Sequence, residues 1–146
     1  MNSAHSAGAK LIHEASKKVA ADKLKKRPFI HLTFLDAYTS DDGDTNSYGN
    51  LGNYPHYSEH YVDMGLWYTD ALLPTAFNFD ITGWTDDANR IDPTGLPTGH
   101  HWPWRWYTRS VESPTSTGDL GFMLSLEGGN EGYSTLSQRF QPGKSC

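Results

Sequence analysis

Cysteine is all but absent from this sequence: its single cysteine, Cys146, is the last of 146 residues. No intrachain disulfide can form, which excludes the stapled frameworks of small secreted domains. Long apolar runs are missing as well, and nothing approaches the roughly 20 residues that a membrane-spanning helix needs. Met1-Asn2-Ser3 opens no basic-then-apolar leader. Positive charge is in deficit, with 12 Lys and Arg against 17 Asp and Glu and a formal net charge of −5. That balance excludes a protein held to nucleic acid by its overall charge. The basic residues Lys17, Lys18, Lys23, Lys25, Lys26 and Arg27 are a local cluster and suit the solvated face and C-terminal end of one helix. There is no internal repeat, and the length suits one modest domain with its own core.

Aromatic residues are frequent at 13 %, with five Trp and eight Tyr gathered in the middle of the chain. The first informative stretch is Ala4-His5-Ser6-Ala7-Gly8, a small-x-Ser-x-Gly pattern followed at once by helical periodicity. This is the form of a nucleophile elbow, where a serine sits on a tight turn between a strand and a helix. Small residues are needed on both sides because the chain passes close to itself. The other use of such a serine is as a helix N-cap.

Periodicity predicts a helix over residues 9–26, with Leu11, Ile12, Ala15, Val19 and Leu24 as its core stripe. Pro28 ends it. Phe29 to Leu35 is nearly continuous in apolar and β-branched residues, as in a strand covered on both faces, and it runs into Asp36. A polar loop from Thr39 to Tyr57 follows. Its oxygen donors Asp41, Asp42, Asp44 and Asn46 lack the closing glutamate of a calcium loop, so no metal is assigned. Tyr61 to Tyr68 and Ala76 to Thr82 are two further strands, the second alternating Phe77, Phe79 and Ile81 against Asn78 and Asp80. A loop over 83–99 leads to His100-His101. A short helix over Trp102 to Val111 then carries Pro103 in its first turn, with Trp104, Tyr107 and Val111 on one face. Leu120 to Leu126 reads as a strand or docking segment, and 128–146 as an irregular tail. His5 reads as structural, and His13, His31, His56 and His60 as surface or strand-filling residues.

The order of elbow serine, helix, strand ending in Asp, two strands, His loop and helix resembles the second half of an α/β-hydrolase fold, in which Ser, acid and His follow one another along the chain. More narrowly, it is similar to lipases of the pancreatic-lipase type. Leu35-Asp36-Ala37 stands where that family has Leu-Asp-Pro-Ala. Tyr61-Val62-Asp63-Met64 leading to Thr69-Asp70 stands where it has Phe-Val-Asp-Val leading to Thr-Asp. His100 is followed at matching spacing by Trp106-Tyr107 and Ser110-Val111. The likeness covers residues 4–112, with Ala4 in place of Gly, Ala37 in place of Pro, and no disulfides.

The resemblance implies an α/β fold in which residues 1–127 form the C-terminal part of a hydrolase domain, with the N-terminal strands, including the one that carries the elbow, missing. It implies Ser6 as nucleophile, Asp36 as the acid with Asp70 as competitor, and His100 as the base with His101 as alternative. The backbone N–H of Ala7 would be one oxyanion-hole donor. The expected activity is hydrolysis of a small-molecule or lipid carboxylic ester through an acyl-enzyme, without a cofactor. The parent protein could be secreted. Two alternatives stand beside this: a catalytically incomplete fragment whose partner is the missing N-terminal half, and an aromatic-rich carbohydrate-binding module.

Overall fold

A computed structural model describes residues 2–22, 28–39, 50–64, 71–82, 98–113 and 121–124. Four strands, β1 (Asn2–Ser6), β2 (His31–Ala37), β3 (Tyr57–Val62) and β4 (Phe77–Asp80), form one parallel sheet in the order β1-β2-β3-β4. Helix α1 (Gly8–Ala21) follows β1, and α2 (Trp102–Glu112) follows a 3-10 turn at Thr98–His101. The protein is thus a small α/β arrangement of a four-stranded parallel sheet and two helices.

The two sheet faces carry separate cores. Leu35, Tyr57, Tyr61, Phe77, Phe79 and Ile81 pack against Trp102, Trp106 and Tyr107 of α2. Leu32, Phe34, Leu51, Leu73 and Ala76 pack with Ala9 of α1. In β2 the cores alternate with the two-residue period of a strand until Asp36. Beyond it Ala37 joins Leu32 and Phe34 rather than Leu35. The pairing shows why: His5 opposes Leu35 but Ser6 opposes Ala37. Asp36 is the extra residue of a β-bulge, which re-aims a side chain and sharpens the local twist.

Several expectations are corrected. The elbow serine does have a strand before it, since Asn2–Ser6 pairs in parallel with Leu32–Ala37 across the bulge. Short polar residues serve there because β2 supplies the hydrogen bonds. Consequently β2 is flanked on both edges, and β1 is the outer strand among the described residues. Helix α1 ends at Ala21, where Asp22 turns to extended backbone and its N–H caps Lys18 and Val19. It buries Ala9, His13 and Ser16 and leaves Leu11 73 % exposed and Val19 37 % exposed. Of the expected stripe, Ile12 packs against the core on the sheet while Leu11, Ala15 and Val19 are exposed, and His13 is a core residue rather than a surface one. Strand β3 begins four residues before the expected start, at Tyr57. In α2 the buried set is Trp102, Pro103, Trp106, Tyr107 and Ser110, whereas Trp104 and Val111 face outward. Gly121–Leu124 is a 3-10 turn, not a strand; the Phe122 N–H donates to the Ser110 Oγ and docks it on α2. Leu24, the Asp41–Asn46 donors, Asp70 and the 128–146 tail lie outside the described residues.

Candidate functional site

At the C-terminal ends of β1 and β2 two non-glycine residues adopt left-handed backbone: Ser6 at φ 55° and Asp36 at φ 50°. L-residues visit this region rarely, and such conformations gather at sites where geometry is imposed by function. Ser6 closes β1, Ala7 is the N-cap of α1, and the helix begins at Gly8. The small residues have a measurable reason. A Cβ placed on Gly8 would lie 3.2 Å from the Cβ of Ala4, so the strand and the first turn of the helix come together only because both positions are small.

The bulge brings the Asp36 carboxylate between two partners. Its Oδ2 lies 2.6 Å from Nδ1 of His100, a residue 64 positions away. Its Oδ1 accepts the backbone N–H of Asp63 at 3.4 Å, just beyond β3. Asp36 is fully buried, while the His100 side chain keeps 16 % exposure. The imidazole therefore bonds a carboxylate through Nδ1 and retains a path to solvent, as a proton carrier requires.

His5, one residue before Ser6, holds the histidine turn in place. Its Nε2–H donates to the His100 carbonyl oxygen, and its ring centroid is 4.4 Å from that of His100. Burial pushes the His5 pKa below its ordinary value, against the raising effect of that hydrogen bond. The structure thus places Asp36 and His100 in direct contact, with Ser6 at the end of the neighbouring strand, opposite Ala37. The Ser6 hydroxyl makes no hydrogen bond among the described residues. His101, the alternative base, is the N-cap of α2, with its ring 5.7 Å from His5 and 5.8 Å from His100. The carboxylate contact belongs to His100.

Sequence reasoning missed Glu59 altogether and read His60 only as a surface or strand-filling residue. Glu59 is fully buried on β3. Its Oε1 receives Thr33 Oγ1–H at 2.7 Å and lies 3.2 Å from His31 Nε2; its Oε2 receives the hydroxyls of Tyr57 at 2.9 Å and Tyr61 at 3.0 Å. Burial, reinforced by the Glu59 charge, raises both tyrosine pKa values, so both remain donors. His60, buried on the opposite face, reaches Ala37 and Asn78. In the sequence, the alternation of Tyr57, Glu59 and Tyr61 was the signal that this strand begins before Tyr61.

Among the described residues no group of three His, Cys, Asp or Glu side chains is arranged to hold a metal ion, and no helix is long and apolar enough to cross a membrane. In comparisons with known proteins, no family model, no curated protein and no solved structure matches this chain.

Proposed function

We propose that the protein is a serine hydrolase of lipase or esterase type, built on the second half of an α/β-hydrolase sheet. The observation that carries this reading is the 2.6 Å contact of His100 Nδ1 with buried Asp36, beside a serine held at positive φ between a strand and a helix. Catalytic groups clustered beyond the carboxyl ends of parallel strands fit the general placement of sites in open α/β sheets.

In this mechanism the Ser6 Oγ attacks the carbonyl carbon of a carboxylic ester as its proton passes to Nε2 of His100. Asp36 accepts the Nδ1–H, sets the tautomer and stabilises the imidazolium. Negative charge develops on the carbonyl oxygen, where the Ala7 N–H at the start of α1 donates, helped by the helix dipole. His100 then protonates the departing alkoxide, leaving an acyl group on Ser6. Water attacks that ester with the same histidine as base, which releases the acid and restores the serine.

The test is labelling by a fluorophosphonate together with hydrolysis of a short-chain p-nitrophenyl ester. Covalent modification mapped to Ser6, and loss of both signals in Ser6→Ala, are expected. An intact Ser6→Ala activity ends the proposal.

A second reading, a catalytically incomplete half of such a sheet, is favoured by one observation. Strand β1 is the outer strand among the described residues, and α1 beside it exposes Leu11 and Val19. An added strand and a covering layer would remove both. Under this reading Ser6 is labelled slowly, and turnover appears only when the complementary half is supplied. Against the carbohydrate-module reading, Trp102, Trp106, Tyr57, Tyr61 and Tyr107 are core residues, whereas Tyr38, Tyr54 and Trp104 are exposed.

A further inference from the structure

We infer that His60 is a positioning residue for the proposed triad: by accepting the Ala37 N–H, it holds the bulge that turns the Asp36 carboxylate toward His100. This inference rests on the hydrolase reading for its catalytic consequence, and on geometry alone for its structural one.

The bulge creates a problem that an ordinary strand does not have. The ladder between β2 and β3 ends at Leu35 opposite Tyr61. Beyond it the Tyr38 N–H bonds the Ser6 carbonyl in β1, so by strand alternation the Ala37 N–H points to β3. Ala37 is fully buried, and a buried amide without a partner costs about 1–3 kcal/mol. The backbone of β3 does not supply the acceptor. The side chain of His60 does, with Nε2 3.2 Å from the Ala37 nitrogen.

The hydrogen bonds around Asn78 determine the tautomer. Asn78 Oδ1 accepts the Leu73 N–H at 2.9 Å, and its Nδ2 donates to the carbonyls of Leu73 at 3.0 Å and Ala76 at 3.1 Å. The amide orientation is therefore unambiguous, and its oxygen faces Nδ1 of His60 at 3.0 Å. Nδ1 must carry the proton, which leaves the Nε2 lone pair for Ala37. Full burial keeps the ring neutral by lowering its pKa to about 4, only partly offset by the Asn78 bond. A chain of bonds thus runs from the turn before β4 through Asn78 and His60 to the residue after Asp36.

That residue is where the bulge is decided. With the Ala37 amide held toward β3, Asp36 is confined to its left-handed conformation, and its carboxylate reaches both His100 and the Asp63 N–H. Without the acceptor, the segment gains by regularising, which turns residue 36 to the other face, since side-chain direction in a strand follows register.

The experiment compares His60→Leu, His60→Gln and His60→Asn in the full chain. Gln carries its amide oxygen about where Nε2 sits and can accept from Ala37. Asn keeps the donor to Asn78 but is too short for Ala37. One readout is the downfield proton NMR resonance of His100 Nδ1–H; the other is kcat and KM for a short-chain ester. His60→Leu and His60→Asn are expected to shift or erase the resonance and to lower kcat by about 10²-fold, the scale of a small misplacement, with KM unchanged. His60→Gln is expected to restore both. Should the Leu variant fail to fold, the Gln–Asn comparison decides the matter. A resonance and kcat that do not distinguish Gln from Asn overturn the inference. If the wild-type chain hydrolyses no ester, the hydrolase reading fails, while the resonance still reports whether His60 positions Asp36.

Discussion

Acidification is the perturbation that isolates His60. In an unfolded chain its imidazole titrates at the ordinary value of 6.5, whereas burial lowers the native pKa to about 4. The native state thus refuses a proton that the unfolded state accepts. A depressed native pKa gives stability that is present in full above 6.5 and declines as pH falls from 6.5 toward 4. At about 1.4 kcal/mol per pH unit, the decline from this one group amounts to about 3 kcal/mol, a large part of a small domain's stability. His5 and His13 have their pKa values lowered chiefly by burial too and add to the acid loss with the same sign, as do the carboxylates in their own range. Comparison with His60→Gln, which cannot titrate, removes these shared contributions. The assay is urea unfolding at a series of pH values between 7.5 and 4, with stability from linear extrapolation. His60→Gln starts from its own value at pH 7.5, and the gap between the two proteins should change by about 3 kcal/mol in favour of the variant as pH falls to 4. Parallel curves would mean that native His60 titrates as in the unfolded chain. The neutral ring accepting from Ala37 would then be refuted.

Asp36→Asn should preserve the fold but lower ester turnover about 10⁴-fold, by presenting a donor to His100 and favouring the wrong tautomer; steady-state kinetics with KM little changed is the check. Glu59→Leu should destabilise the protein by about 3–5 kcal/mol, because the donors of Thr33, Tyr57 and Tyr61 lose one shared buried acceptor; denaturant midpoints measure it, and a neutral result would show that the cluster is dispensable. Leu11→Gln should alter stability by less than about 0.5 kcal/mol, since that side chain is 73 % exposed; a larger loss in thermal melting would mean that α1 buries Leu11 after all.

Several elements were legible in the residues themselves. Phe29 to Leu35 is nearly continuous in apolar and β-branched residues and became β2 with a shift of two residues, and Pro103 marked the first turn of α2. The small residues at 4 and 8 foretold a close passage of strand and helix, and the 3.2 Å approach at Gly8 is that passage. These signals are local: they depend on what a few neighbouring side chains allow the backbone to do.

The tertiary structure decided what local signals do not carry. The face of α1 that meets the sheet follows from where the helix starts. On α1 the buried positions are Ala9, His13 and Ser16, with Ile12 packed against the core beside them, while Leu11 and Val19 stay exposed. Tyr57-Ser58-Glu59-His60 looks like the end of a polar loop because the Thr33 hydroxyl that completes the donor set of Glu59, and the amide that His60 accepts, belong to a strand more than 20 residues away. The sequence by itself determined an α/β chain with Ser6 in a turn ahead of a helix, then Asp36 and His100 in that order. Only the sheet, by placing a bulge at Asp36 beside Ser6, decided that this carboxylate meets His100. Hydrogen bonds between residues 64 apart depend on register and twist accumulated across strands, and no short stretch of residues contains either.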